Sequence, residues 1–301
     1  MATLANIKSR VRQHVYGQYP TDSPFTTTLN AAIANGTTTS ITVIDGTDWM
    51  EGDIIEIEET EEQARVVSVS THVLTVVRGV NGTTAAAATD AGIVYKNPRF
   101  TYAKIGQAIT DTLLALQAWG IHTFANGTIT KDSLKHYYEL AETDIVPEYG
   151  VLNLYYVEDY TEIPIPLPFR QVYSNMGTGP SEYTYGVGVH VLDWGDVTTG
   201  DDAYFTYAQK VDAATDLTTA QELIVVLGAT ALLLGMTITP ATQDPGARTD
   251  RTVQAGQTSR DARWYQGEFF IRSRAEAASV AVRRARFPST VRLSRSRRWR
   301  P

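Results

Sequence analysis

The chain has 301 residues, of which 43% are hydrophobic, 10% aromatic and 20% charged; this excludes a disordered chain and leaves room for about two domains at ~150 residues each. It contains no cysteine, which excludes a disulfide framework, thiolate metal sites and a cysteine nucleophile. The net charge of −7 averages two unlike parts: residues 1–246 carry 12 basic and 29 acidic groups, whereas residues 247–301 carry 14 Arg, no Lys and four acids.

The N-terminal stretch predicts an amphipathic helix, with Leu4, Ile7, Val11 and Val15 on one stripe. It lacks the apolar core and cleavage site of a signal peptide. Gly17 and the prolines at 20 and 24 end it. From Thr39 to Asn97 the period changes to two, and the breaks at Asp45-Gly46, Gly52-Asp53, Thr71-His72 and Asn81-Gly82 are turn chemistry. This predicts a five-stranded antiparallel barrel or sandwich.

A helix follows from Phe100 to Trp119, with Ile105, Ile109, Leu113 and Leu116 on one face and Gly120 as its stop. Aromatic and β-branched runs then predict a second β region from about Ile121 to Val211, in which the run Ile163-Pro-Ile-Pro-Leu-Pro168 fits only an edge or an extended polyproline-like crossing. Thr218 stands three residues before Gln221, the spacing of a capping box, and opens a helix to about Met236 that is apolar nearly all round. Its longest uncharged run, Leu223 to Ile238, is shorter than the ~20 residues of a membrane span, so a buried helix is expected and no membrane partner. The final helix is expected from Ser259 to Arg286, with Ile271, Ala275, Ala278, Val282 and Ala285 as its packing face.

These elements predict an α+β protein: a helical bundle with an inserted small antiparallel β barrel or sandwich, a second, larger β domain and an extended basic C-terminal arm. The expected division is residues 1–38 (helix and loop of the helical body), 39–97 (small β module), 98–120 (helix of the body), 121–214 (second β domain), 215–288 (C-terminal helices of the body) and 289–301 (arm). The expected helical core comprises Ile105, Ile109, Leu113, Leu116, Leu223, Val226, Leu227, Leu233, Leu234, Ile271 and Val282.

Chemistry-bearing patterns are scarce. His14, His72, His122, His136 and His190 lack zinc spacing, and there is no Walker loop or Gly-x-Ser-x-Gly elbow. Glu56, Glu58, Glu59, Glu61 and Glu62 read as the solvated face and turn of a hairpin, and the aspartates at 193, 196, 201 and 202 fit no EF-hand. The Asn-Gly-Thr triplets at 35, 81 and 126 read as tight turns. The expectation is a protein without catalytic residues, cofactor or metal.

The arginine-rich end differs, because from Arg283 onward there are eight arginines and no acid. A helix C-terminus needs two or three cations to complement its dipole, so the pattern points to an arm that orders on an acidic partner. Nucleic acid is one candidate. An acidic protein groove is the other, favoured by Phe287, Val291, Leu293 and Trp299 interleaved with the arginines.

The stretch Arg78-Gly-Val-Asn-Gly-Thr-Thr-Ala-Ala86, with Glu51-Gly-Asp-Ile-Ile-Glu-Ile57 ahead of it, resembles a module recurring in tailed-bacteriophage virion proteins. The following Pro98-Arg-Phe100 and long helix resemble the head-to-tail connector (adaptor) proteins of long-tailed phages. The resemblance implies a non-enzymatic ring, expected to be twelve copies, beneath the portal, in the virion after synthesis in the host cytoplasm. It implies contacts with the portal protein, with further neck or tail-completion proteins, and with genomic DNA passing the lumen without sequence specificity. The portal-binding residues are then Arg283, Arg284, Arg286, Arg292, Leu293, Arg295, Arg297, Arg298, Trp299 and Arg300. The alternative is a tail or tail-tip protein whose β domain binds carbohydrate or receptor through Tyr155, Tyr156, Tyr183, Tyr185 and Trp194.

Overall fold

The computed structural model describes residues 3–17, 24–133, 135–140, 145–146, 150–157, 164–173, 187–211, 217–236 and 251–285. Among them are four α-helices and three antiparallel sheets, a mixed α+β content. Two compact units share the chain, one of residues 2–112 and 222–269, the other of residues 113–221 and 270–301 with Met1.

In the first unit, helix α1 (Leu4–Gly17) buries the stripe Ile7, Val11 and Val15. Six strands follow, not five: β1 (Thr26–Thr28), β2 (Ser40–Thr42), β3 (Ile54–Ile57), β4 (Glu62–Ser70), β5 (Val73–Val77) and β6 (Ile93–Lys96). They pair in the order β1-β6-β3-β4-β5-β2 and curl into a half-barrel, with a bridge between Leu29 and Val43 joining its two edges. Strand β1 lies upstream of the boundary expected at residue 39. Its three threonines carry no period-two apolar signal, and it is the pairing with β6 that makes it a strand. The interior holds Ile41, Val43, Ile55, Ile57, Leu74, Val76 and Val94, the inward positions of alternating strands.

The same unit contains the first part of α2 (Tyr102–Ala118) and most of α3 (Thr219–Met236). Every residue of α3 from Ile224 to Thr230 is buried, which accounts for its apolar character on all sides. Gly228 makes this close packing possible: a Cβ there would lie 2.5 Å from Thr112 Cγ2 and 2.8 Å from Phe269 Cδ2.

In the second unit, β9 (Val151–Val157) and β13 (Asp202–Gln209) form the centre of a four-stranded sheet edged by β7 (Thr123–Thr130) and β10 (Pro164–Pro166). The prolines therefore sit at an edge, where a missing N–H costs no ladder bond. A three-stranded sheet has β12 (Val187–Val191) between β11 (Phe169–Tyr173) and β8 (Tyr137–Glu139). Leu154, Phe205, Val189, Val191 and Trp194 share one core. Asn126-Gly127 is no turn, contrary to expectation; it lies inside β7, and a Cβ on Gly127 would stand 2.3 Å from Phe205 Cζ. The glycine is there to admit a ring.

Helix α4 runs from Arg251 to Ala285, eight residues earlier than the Ser259 start expected from the sequence. Its buried positions are Ala262, Tyr265, Phe269, Ser273 and Val280. Ile271 and Val282, assigned to the helical core from their spacing, are 66% and 57% exposed, and Ala275, Ala278 and Ala285 are exposed with them. Two apolar stripes coexist on this helix, and periodicity cannot choose which one a neighbour covers. The rest of the predicted helical core is buried apart from Leu223, which is half-buried. No helix among the described residues is long and apolar enough to cross a membrane.

Candidate functional site

The described part of the basic end is the last turns of α4. Arg283 donates from Nη2 to Glu276 Oε1 at 2.5 Å. Glu276 Oε1 also accepts from the Gln221 amide at 3.4 Å, and the same amide group donates to the His122 carbonyl at 3.5 Å. Gln221 is fixed in turn by the capping box read from the sequence: Thr218 N–H donates to Gln221 Oε1 (3.1 Å) and Gln221 N–H to Thr218 Oγ1 (3.4 Å). A helix start thus anchors the root of the basic segment.

His122 is buried beside this root and donates from Nδ1 to the Gly120 carbonyl at 3.0 Å. Burial above all, and then the positive charges of Arg284 and Arg283, lower its pKa to about 4 against the raising effect of the Gly120 bond. The imidazole is therefore neutral at physiological pH. Arg283 and Arg284 are the only residues of the predicted portal-binding set that fall within the described chain. Arg286, Arg292, Leu293, Arg295, Arg297, Arg298, Trp299 and Arg300 lie outside the described residues, as does the whole arm 289–301.

The aromatic set proposed for carbohydrate does not converge on one surface. Trp194 is 5% exposed, inside the core and edge-on to Tyr138 at 5.4 Å. Tyr156 packs against the same core, while Tyr155, its neighbour on the strand, faces the other way. Tyr183 and Tyr185 lie outside the described residues. Two surface pairs escaped the sequence reading, because they depend on cross-strand register. Tyr155 stacks on Tyr204 at 5.9 Å, and Tyr137 stacks on His190 at 4.1 Å.

The glutamate cluster meets its expectation in part: residues 58–61 form the turn of the β3–β4 hairpin, but its flanking face is not solvated. Glu56 and Glu62 are fully buried. Glu62 takes a bidentate pair from Arg78 (both contacts 2.5 Å) and accepts the Gly79 and Ala86 N–H groups at 3.1 Å each. Arg78 also donates to the Thr38 carbonyl (2.9 Å) and the Ala86 carbonyl (2.6 Å). The stretch 78–86 is thereby built around one buried ion pair, with Gly79, Asn81 and Gly82 at positive φ to make its loop. Glu58 accepts from the hydroxyls of Tyr95 and Tyr102, Glu59 from Thr89, and Glu61 from Lys8. Each carboxylate has a structural partner, and among the described residues no group of three His, Cys, Asp or Glu is placed to hold a metal ion.

Of the aspartates at 193–202, Asp193 and Asp201 form turns and Asp202 bonds across the strands to Thr130. Asp193 accepts from Gly195 N–H (2.9 Å), Asp201 from Thr198 N–H (3.1 Å) and Asp202 from Thr130 Oγ1 (2.7 Å). Asn35 stands in a turn, but not the positive-φ Asn-Gly turn of a tight hairpin: its side chain accepts from Thr37 N–H at 3.0 Å. No protein-family model matches the chain, and no curated protein matches it.

Proposed function

We propose that the protein is a structural, non-enzymatic connector of the tailed-phage neck. In this reading, the helices form a bundle from which the six-stranded module and the second β domain project. Copies form a ring, expected to be twelve, beneath the portal and join it to further neck and tail-completion proteins. The basic C-terminal arm docks on the portal. The virion is its place of action after synthesis in the host cytoplasm, with no membrane, cofactor or metal.

The observation that carries the reading is the charge division: an acidic body of 29 acids and 12 bases, ending in eight arginines without an acid after residue 282. An acidic lumen offers phosphates no adhesive site, so passing DNA slides without being held. Arms repeated around a ring multiply weak contacts once one subunit has fixed its neighbours. The anchored root of α4 supports the arm's role, because Glu276 and Gln221 hold the helix end from which it departs.

Deletion of Ser289–Pro301 tests this directly. The truncated chain is expected to fold with unchanged circular dichroism and to lose attachment to portal-bearing heads; attachment at the full-length level rejects the arm as the docking element.

A second reading, a tail or tail-tip protein that binds carbohydrate or receptor, draws support from the surface pairs Tyr155–Tyr204 and Tyr137–His190. Trp194 is unsuitable as its probe, since its replacement opens the core. Glycan-array binding abolished by Tyr155→Ala or Tyr204→Ala favours this reading over the neck.

A further inference from the structure

Helix α4 presents an apolar stripe to solvent. Within the second unit it comprises Ile271, Ala275, Ala278, Val282 and Ala285, all exposed and spaced 4, 3, 4 and 3 residues apart. That spacing keeps side chains in line along one face of a helix and is the seam pattern of helices that pack against a partner. Ile271 and Val282 are more than half exposed although the helix buries a separate set on its other face. A solvated helix in its final state has no need of a second such stripe.

Charge identifies what covers it. Residues 270–285 carry four arginines and one glutamate, and exposed Arg274 lies one turn from both Ile271 and Ala278. A second α4 laid along the stripe would bring arginine against arginine, which like-charge repulsion disfavours. The segment Leu192–Asp202 of the same unit has the complementary character: four aspartates, no basic residue, every aspartate exposed, and Leu192 at its start 38% exposed. Tyr137 on β8, opposite His190, adds a second exposed apolar side chain two residues from Leu192 on the neighbouring strand. The loop is a fixed surface, held by the Asp193 and Asp201 turn bonds, by the cross-strand bond of Asp202 to Thr130 and by Gly200 N–H on the Lys131 carbonyl at 2.9 Å.

We infer that the α4 stripe of one copy docks on the acidic Leu192–Asp202 surface of a second copy. Two different surfaces meet in such a contact, so each copy can use both, and repetition yields a closed ring or an open chain. The inference would supply the subunit contact of the neck reading but does not require it. Lost portal attachment with intact self-association bears on the arm alone.

The absence of cysteine allows a clean test on the full chain. Ala278→Cys and Leu192→Cys are made as separate single-cysteine proteins, one carrying a size tag, then mixed and oxidised. A mixed disulfide is expected, with neither protein cross-linking to itself beyond background. Its yield should fall about tenfold when Arg274→Glu is added to the Ala278→Cys protein, and recover when Asp196→Arg is added to the Leu192→Cys protein, as expected for a direct charge pair. Self-cross-linking of the Ala278→Cys protein alone would mean α4-to-α4 pairing and overturn the assignment. So would the absence of any cross-link at high concentration. All four positions are exposed, and unchanged circular dichroism and melting temperature confirm that each variant folds.

Discussion

The guanidinium carbon of Arg12 lies 3.4 Å from the centroid of the Tyr95 ring, on a strand of the half-barrel. Tyr102 is the next ring at 4.7 Å, and Arg12 Nη1 lies 3.5 Å from Oε2 of the buried Glu56. One cation from α1 thus balances the only charge that β3 buries, while aromatic faces replace its water. Desolvation raises the pKa of Glu56, and Arg12 and the Tyr102 N–H oppose it. Burial foremost also pushes Tyr95 up to about 12 and raises Tyr102.

Removing Arg12 should therefore be far worse than removing the pair. Arg12→Met alone leaves a carboxylate uncompensated, and a loss of about 3–5 kcal/mol is expected. The double variant Arg12→Met, Glu56→Gln should recover at least half of it. Urea unfolding of the two proteins measures the difference, and equal losses would refute a role for charge.

Arg78 makes a fork with Glu62 that an ammonium cannot copy, since Nε, Nη1 and Nη2 all donate at once. Arg78→Lys is expected to destabilise by about 2–3 kcal/mol through unmade bonds to the buried carboxylate and carbonyls. The Asn81-Gly82 loop should become the first site of limited proteolysis.

Gly127→Ala places a methyl within the Phe205 ring and is expected to cost about 1–3 kcal/mol. Phe205→Leu, destabilising by itself, should tolerate Gly127→Ala better than the parent does. Thermal melts of the two single variants and the double variant form the required cycle, and simple additivity of the losses would show that the ring is not the obstacle.

His122 links stability to pH. Its folded pKa of about 4 lies below the ordinary value of 6.5, so the unfolded chain binds the proton first as pH falls. Its contribution is whole above pH 6.5 and is lost progressively down to about pH 4, at no more than ~1.4 kcal/mol per pH unit. Glu56, whose pKa is raised, works in the opposite sense as pH rises through the carboxylate range. The informative quantity is hence the difference between the parent and His122→Gln, which should narrow between pH 6.5 and 4. A constant difference across that window would show that His122 does not titrate on unfolding.

Legibility followed the range of the interaction. The capping box at Thr218 and Gln221, the stripe of α1, the burial of α3 and the edge position of Pro164 and Pro166 are written in neighbouring residues, because local propensity and period decide them. Strand β1 and the Tyr155–Tyr204 and Tyr137–His190 pairs are set by strands distant in sequence, so no local pattern announces them. The glutamates of β3 and β4 look solvated as a run, and it is Arg12, Arg78, Tyr102 and the N–H groups of Gly79 and Ala86, brought from other segments, that make burial tolerable.

Composition alone determined that acidic and basic residues divide along the chain, since charge is counted and not folded. Which apolar stripe of α4 is covered was decided by tertiary packing: Tyr265 and Phe269 go inward, and Ile271 and Val282 are left facing water. The two faces are alike in period, and only the shape and charge of what stands beside the helix separates them.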